Sequence, residues 1–334
     1  MVKIWFNHWF STIYNMIESL KAANPDYYVI GTNARENAVY RMVCDEWYKE
    51  PVLPEKEYIE YCLSFCQEHG VQIFVPRRNM LAVSRHRADF SAIGVKILVD
   101  DAALIDRLNY KTQAYEWLSC VPSLHIPVYE RVTNVQDFVA AYERLKKDYE
   151  QVCFKFEHDE GGMSFRLIDN RPKGYKALFQ KQSTVRISLD DAVAALSEVE
   201  QCSPLLVMPY LSGAEVSVDC LHTPSGLIMI PRIKDTSRVE RIVYQEDILQ
   251  MCRDLWEVCP LQCPFNVQFK YLKEVPYFLE VNTRMSGGVP MACAAEQVNI
   301  LDIAIAQLLG YTKEWHLDYQ NKFVSYIEKP ILLP

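Results

Sequence analysis

The stretch FNVQFKYL, followed after a short break by YFLEVNTRMSGG, gathers the residue types that metal and phosphate chemistry use. Gln268, Glu280 and Asn282 each offer an oxygen ligand. Glu280 and Asn282 are two apart, so on a strand they point the same way. A paired strand carrying Gln268 can turn its amide toward them. Magnesium takes such hard oxygens and usually completes its octahedron with phosphate oxygens and water. Arg284 follows two residues on, where a guanidinium can hold a transferring phosphate and neutralise its developing charge. Gly287 and Gly288 let backbone approach closely. Lys155 is a lone ammonium inside an apolar strand, among Cys153, Phe154 and Phe156. A buried lysine needs an anionic partner. Each feature alone has a plainer reading: a strand end with a polar turn, or a lysine on a solvent face.

A second group of polar residues lies near the N-terminus. Asn7, His8 and Ser11 follow the first expected strand, and Arg77 and Arg78 follow the third, just past Pro76. Both places are carboxyl ends of parallel strands, where open α/β sheets bind ligands. Arg77 or Arg78 there suits a carboxylate, and solvated loop arginines fit as well. His8 reads as a local packing or hydrogen-bonding residue rather than a base.

The elements that must position these groups follow from hydrophobic periodicity. Strands are expected at 3–7, 26–31, 71–75 and 95–99, and helices at 11–23, 57–70 and 80–93. This βαβα rhythm predicts a parallel doubly wound sheet. A dinucleotide fold would place G-x-G-x-x-G after the first strand, but Asn7–Thr12 contains no glycine, so NAD is not expected there. Further on, a helix is expected at 109–118 with Lys111 in its first turn. Strands follow at 152–156 and 165–169, then a polar, basic, exposed connection over 170–186. Ser188 caps a helix with acids in its first turn. Strands at 205–208, 215–222, 227–233, 265–272 and 277–281 and helices at 247–258, from about Pro290, and at 299–309 complete the pattern.

Composition bounds the reading. At 334 residues, half of them hydrophobic, the chain predicts two or three lobes with sizeable cores. A net charge of −8 gives no basic face for nucleic acid. No apolar run of about 18 residues predicts a membrane span, and MVKIWFNHWF does not resemble a signal peptide. The expectation is a cytoplasmic protein without nucleic-acid or membrane partners. The 11 cysteines contain no C-x-x-C pair. The spacings Cys62–Cys66 and Cys259–Cys263 read as reduced core residues rather than zinc ligands.

With these residues in place the chain resembles the ATP-grasp superfamily, particularly its carbamoyl-phosphate-synthase-like branch, which similarly has a Gln in an N-V-Q-F strand and then E-[IV]-N-x-R. It is also similar, more loosely, to the ATP-grasp proteins associated with tellurite-resistance gene clusters. The resemblance runs along essentially the whole chain. It implies an α/β ATP-grasp fold with an N-terminal Rossmann-like pre-ATP-grasp lobe and a small α+β lid lobe. The implied segments are 1–105 for the first lobe, 106–146 for a helical link, 147–208 for the lid and 209–334 for the large lobe with the metal site. It implies that Lys111 and Lys155 contact nucleotide and that Lys155 and Arg284 act in catalysis. Gly161 and Gly162 would cover the phosphates. Met208, Pro209, Tyr210 and Leu211 would form the hinge that reads adenine, and Glu215 would hold the ribose. Gln268, Glu280 and Asn282 would be the metal ligands, while Asn7, Ser11, Arg77 and Arg78 would face substrate.

Two departures stand out. Pro209 replaces a frequent Glu and has no N–H, which leaves its carbonyl as an acceptor and Leu211 N–H as the donor. The loop 157–164 has two glycines and three acids where the family often has more glycine. The implied activity is a magnesium-dependent ligase, with manganese as a substitute. ATP activates a small-molecule or peptide carboxylate as an acyl phosphate, an amine attacks, and ADP and phosphate leave. The alternatives are a small-molecule kinase with the same residues and a nucleotide-sensing module. A homodimer is expected.

Overall fold

The computed structural model describes residues 1–159, 162–169, 185–234, 239–327 and 330–333. The chain forms two compact units. The first holds Met1–Leu108, Ala214–Gln268 and Val281–Pro334; the second holds Asn109–Gly213 and Phe269–Glu280.

The first unit begins with strands β1 (Val2–Asn7), β2 (Tyr27–Asn33), β3 (Glu46–Lys49), β4 (Ile73–Val75) and β5 (Lys96–Ile97), in the order β3-β2-β1-β4-β5. Every pairing in this sheet is parallel. Both faces are covered, as all-parallel sheets require. Period-2 alternation sends Ile4 and Phe6 into one core and Trp5 into the other. Trp5 stacks on Phe74 at 4.0 Å and packs on Phe65. Sequence periodicity did not reveal β3, which is only four residues long. The expected helix over 80–93 is two short ones, Met80–Arg85 and Arg87–Ala92, meeting at His86.

Sheet two lies in the second unit: β6 (Glu130–Val132), β7 (Val152–Phe156), β8 (Arg166–Ile168), β9 (Arg186–Ile187) and β10 (Leu205–Pro209), ordered β6-β10-β7-β8-β9. The helices Val135–Asp148 and Leu189–Leu196 contribute to its core. Ser188 caps the latter as expected, accepting from Asp191 N at 3.1 Å. The connection expected to be exposed over 170–186 falls almost wholly outside the described residues.

Sheet three has β11 (Glu215–Thr223), β12 (Gly226–Lys234), β13 (Val239–Ile242), β14 (Phe265–Leu272), β15 (Val275–Asn282) and β16 (Lys322–Ser325), ordered β15-β14-β11-β12-β13-β16. The chain passes between units within β14, after Gln268, and within β15, after Glu280. In the first unit one continuous core joins β1, β2 and β4 to β11, β12 and the helices Val289–Glu296 and Ile300–Leu309. Among the described residues no single helix is long and apolar enough to cross a membrane; those two are bent by 92° and carry many buried residues. The described cysteines are free; Cys62, Cys66, Cys259 and Cys263 are buried, and burial raises the thiol pKa of each.

Candidate functional site

In the second unit the helix Lys111–Leu118 is tied at three points. Thr112 Oγ1 donates to the Glu157 carboxylate, Lys111 N to Glu157 O at 3.3 Å, and Tyr115 Oη to Leu279 O at 2.8 Å. The helix start is thus fixed against the end of β7 and against β15, one residue before Glu280. Lys111 Nζ lies 3.4 Å from Glu280 Oε2 and donates to Asp159 O at 3.1 Å. A buried lysine at the first helical position opposes the helix dipole. Such a local conflict is expected where function overrides stability.

Lys155 is placed by β7, paired across to Leu206 of β10. Its ammonium is held down to about 8, by burial first and then by the Lys111 charge, with Glu280 acting in the opposite direction. Among the described residues it has no ion pair. Two ammonium groups and one carboxylate of β15 are therefore gathered in a partly desolvated place, and an additional anion would relieve the repulsion.

The loop after β7 is held by its own side chains. The Asp159 carboxylate accepts from Ser164 N at 2.8 Å and Ser164 Oγ at 2.6 Å, and Ser164 Oγ accepts from Phe156 N at 2.9 Å. Gly162 adopts φ +66, a left-handed conformation that favours glycine. Gly161 lies outside the described residues. At the expected hinge, Met208 and Pro209 end β10. Met208 packs with Cys153 and Leu167, flanked by Tyr129, Phe165 and Tyr210. The Pro209 carbonyl accepts a long contact from the Cys153 thiol, at 3.7 Å. Leu211 is buried. At Gly213 a Cβ would come within 2.6 Å of Tyr271 Cβ, so the closing of this turn on β14 requires glycine.

The first unit carries the remaining candidates. Glu215 opens β11 and pairs with Lys234 of β12 at 2.8 Å. Gln268 Nε2 donates to Asn266 Oδ1 at 3.3 Å, and Asn266 Nδ2 in turn donates to Ser217 Oγ, Val218 O and Asp219 Oδ1. Asn282 ends β15, two residues from Glu280 and on the same face of the strand. Arg284 stands over the Phe10 ring at 5.8 Å.

Among the described residues no cluster of three or more His, Cys, Asp or Glu forms a metal site. The candidate donors are one carboxylate and two amides. That set fits magnesium bound jointly with phosphate oxygens rather than an all-protein cage.

Beneath the turn Asn282–Gly288 lies a group that sequence reading missed. Arg232 is fully buried, with Nε 2.7 Å from Asp219 Oδ2, Nη1 on Glu240, and Nη2 donating to Ser286 Oγ at 2.9 Å. Burial opposes its charge, but Asp219 and Glu240 outweigh this and raise its pKa. A Cβ on Gly288 would stand 2.0 Å from Arg232 Nη1, whereas Gly287 is open. Of the glycine pair, only the second is a close-approach position. The signal was present: Arg232 is a cation set among the apolar residues of β12, much as Lys155 is in β7.

The N-terminal candidates divide. Asn7 was expected to face substrate. Instead it is fully buried, donating to Tyr58 Oη at 2.5 Å and accepting from Arg77 N at 2.6 Å. Its side chain fastens β1 to the turn after β4, which corrects that expectation. Ser11 is exposed. Arg78 lies 3.7 Å from buried Glu50, which also accepts from Tyr58 and Thr32. Arg77 stacks over Phe10 at 4.6 Å.

The chain is similar to several known proteins. Residues 201–330 match a family model described as ATP-grasp in the biosynthetic pathway with Ter operon. The arginine-specific carbamoyl phosphate synthase large chain of Halalkalibacterium halodurans is 22% identical over 88% of this chain and 27% of its own length. The carbamoyl phosphate synthase large chain of Clostridium acetobutylicum is 25% identical over 65% of this chain and 20% of its own. The chain thus spans about a quarter of the length of these relatives. Among solved structures, the fold is similar to N5-carboxyaminoimidazole synthetase from Staphylococcus aureus complexed with ADP, with TM-score 0.68 and 14% identity over 96% of this chain and 81% of that one. It is also similar to the biotin carboxylase domain of the Hydrogenobacter thermophilus 2-oxoglutarate carboxylase with MgADP, at TM-score 0.66 and 15% identity over 95% and 71%.

Proposed function

We propose that this chain, a member of the ATP-grasp superfamily in sequence and fold, is a magnesium- and ATP-dependent ligase that joins a carboxylate to an amine. One observation carries the reading: Lys111 pairs with Glu280, and Lys155 lies near enough to feel both charges while making no ion pair among the described residues. A nucleotide phosphate supplies the charge that this arrangement needs. Glu280, Asn282 and Gln268 would hold magnesium, which when bound neutralises phosphate charge. Arg284 would stabilise the transferring phosphoryl group, and Lys155 would orient it. Met208 to Leu211 would receive the base, Glu215 the ribose, and Gly161 and Gly162 the phosphates. Glu215 must exchange its contact with Lys234 for the ribose, a small cost because that pair is part-exposed.

In the proposed reaction a carboxylate oxygen attacks the γ-phosphorus and ADP leaves. The amine then attacks the acyl carbon, the C–N bond forms as the carbon–oxygen bond to phosphate breaks and phosphate leaves, and the amine's proton passes to solvent or a base. In the same reading, 1–105 is the acceptor-side lobe, 147–208 the lid and 209–334 the metal-bearing lobe, with 106–146 as their link. The protein would act in the cytoplasm, as a homodimer.

The test is a screen of carboxylate and amine pairs for ADP release, with mass analysis of the products. A condensed product with free phosphate is expected. A stable phosphorylated product would assign a kinase instead, and nucleotide binding without turnover of any pair would leave a sensing module.

A further inference from the structure

In the parallel sheet β1 has β2 on one side and β4 on the other, so the strand order runs outward in opposite directions from β1. The crevice beyond the carboxyl ends of β1 and β4 is the switch point where open α/β sheets take ligands. Both loops that leave it carry a non-glycine residue with left-handed backbone, His8 at φ 49 and Asn79 at φ 53. Such a backbone persists where the surroundings over-determine it. At His8 they do. Its N–H donates to Thr32 O at 2.8 Å. Just before it, Asn7 is fastened to Tyr58 and to Arg77 N. Just after it, Trp9 Nε1 donates to Val75 O at 2.9 Å, at the end of β4. The direction in which the His8 side chain leaves the backbone is thereby fixed.

The His8 ring is half-buried. Its Nδ1 is enclosed and has no hydrogen-bond partner, which leaves Nε2 as the nitrogen that a ligand can reach. A proton on Nδ1 would be an orphaned buried donor, and a second proton on the ring would add a buried charge. The surroundings therefore select one form of the imidazole, neutral with its proton on Nε2. Burial first, and then the charges of Arg78, Arg77 and Arg35, lower its pKa, which acts in the same direction. Two residues on, the Phe10 ring is faced by Arg284 at 5.8 Å. The loop that holds His8 thus also meets the residue that the ligase reading assigns to the transferring phosphoryl group.

We propose that His8 contacts the carboxylate substrate as a neutral donor, giving a hydrogen bond from Nε2 to the carboxyl oxygen that stays on carbon. The proposal rests on the ligase reading and names a contact within it. An N–H donor calls for an oxygen acceptor, and a reachable nitrogen that already bears the proton cannot take one from the amine. The other carboxyl oxygen attacks the γ-phosphorus. When the amine adds to the acyl carbon, the oxygen facing His8 gathers negative charge, and a fixed N–H stabilises it. The carbonyl then re-forms as the carbon–oxygen bond to phosphate breaks. His8 keeps its proton throughout, and the amine's proton leaves to solvent or another base. An acid–base catalyst, by contrast, needs both protonation states.

The experiment reads the two ring nitrogens of His8 by nitrogen NMR in the full chain at neutral pH, with the signals assigned through the backbone and confirmed with His8→Gln. Acetate is the probe and methylammonium the control. Nε2 should carry the proton and Nδ1 none. Acetate should move the Nε2 signal saturably, and methylammonium at equal concentration should not. His8→Gln keeps an N–H donor at about the reach of Nε2 and cannot titrate, whereas His8→Leu has no donor. With a carboxylate and amine pair that releases ADP, His8→Leu should lower kcat/KM by about tenfold or more, and His8→Gln should recover most of that loss. The proposal is overturned if Nδ1 carries the proton, if the ring is doubly protonated, if acetate leaves the Nε2 signal in place, or if His8→Gln is as impaired as His8→Leu. The ring measurement on the parent chain decides the matter even where a variant fails to fold. Mg-ADP binding is followed in parallel by thermal shift. Mg-ADP binding without an acetate response at His8 sinks this contact and leaves the ligase reading standing. An acetate response without Mg-ADP binding keeps the contact and sinks the ligase reading.

Discussion

Glu280 serves Lys111 in the structure described above and would serve magnesium in the proposed reaction. Glu280→Gln keeps the size of the side chain and removes its charge. ADP formation with magnesium should fall by on the order of a hundredfold or more, as when a charge-stabilising group is lost, while the far-ultraviolet dichroism stays as it was. Full activity in that variant would remove the metal assignment. Lys155→Ala acts on the other charge. Titration with Mg-ADP should show affinity reduced by about tenfold or more, and unchanged affinity would detach β7 from the nucleotide.

Among elements, the turn between β15 and the helix Val289–Glu296 is tightly constrained at Gly288. The Arg232 guanidinium cannot yield to a new Cβ at Gly288, because Asp219, Glu240, Ser217 and Ser286 all hold it. Gly288→Ala should therefore lower stability by on the order of 3 kcal/mol, the scale of disturbing a buried ion pair, as read from urea unfolding. Gly287→Ala, in open space, should be close to neutral, and equal losses in both would refute the packing described. The strand Val152–Phe156 and the segment 162–169 offer a second element-scale test. In the proposed reading Lys155 would join both to the phosphates, so hydrogen exchange there should slow with a non-hydrolysable ATP analogue and magnesium. Exchange unaltered at saturation would argue against this segment as the nucleotide cover.

On the scale of the whole molecule, Asp100 links distant segments of the first unit. Its carboxylate accepts from Gln262 N at 2.6 Å and Cys263 N at 3.2 Å. Burial raises its pKa to about 6, although those N–H groups act the other way. The native state therefore holds this proton more tightly than the unfolded chain does. Stability from this group falls as pH rises from about 4 to 6, and the full loss remains above that range. Asp100→Asn keeps an acceptor without the charge. It should flatten that part of the pH–stability profile and raise stability at pH 7.5 by on the order of 2 kcal/mol. A profile identical to the parent's would show that the carboxylate is not buried as described.

Periodicity and spacing determined much of this protein. The parallel N-terminal sheet was legible because both-face burial and turn chemistry are local properties. Lys155 and the Glu280–Asn282–Arg284 run could be singled out as candidates because charge in an apolar strand and a period-2 pair of oxygen donors need no tertiary context. Short or paired elements were not: β3 is four residues long, and the break at His86 interrupts an otherwise helical pattern. Tertiary structure alone decided that Asn7 belongs to the fold, because its partners Tyr58 and Arg77 are far away in sequence. It also decided that Lys111 meets Glu280, since that contact depends on the anchoring of a helix by Glu157 and Leu279. Likewise, Gly288 differs from Gly287 only because a buried guanidinium, held from four sides, lies beneath one of them. Local pattern specifies which face a residue takes, while a long-range partner can only be set by the closure of the chain around it.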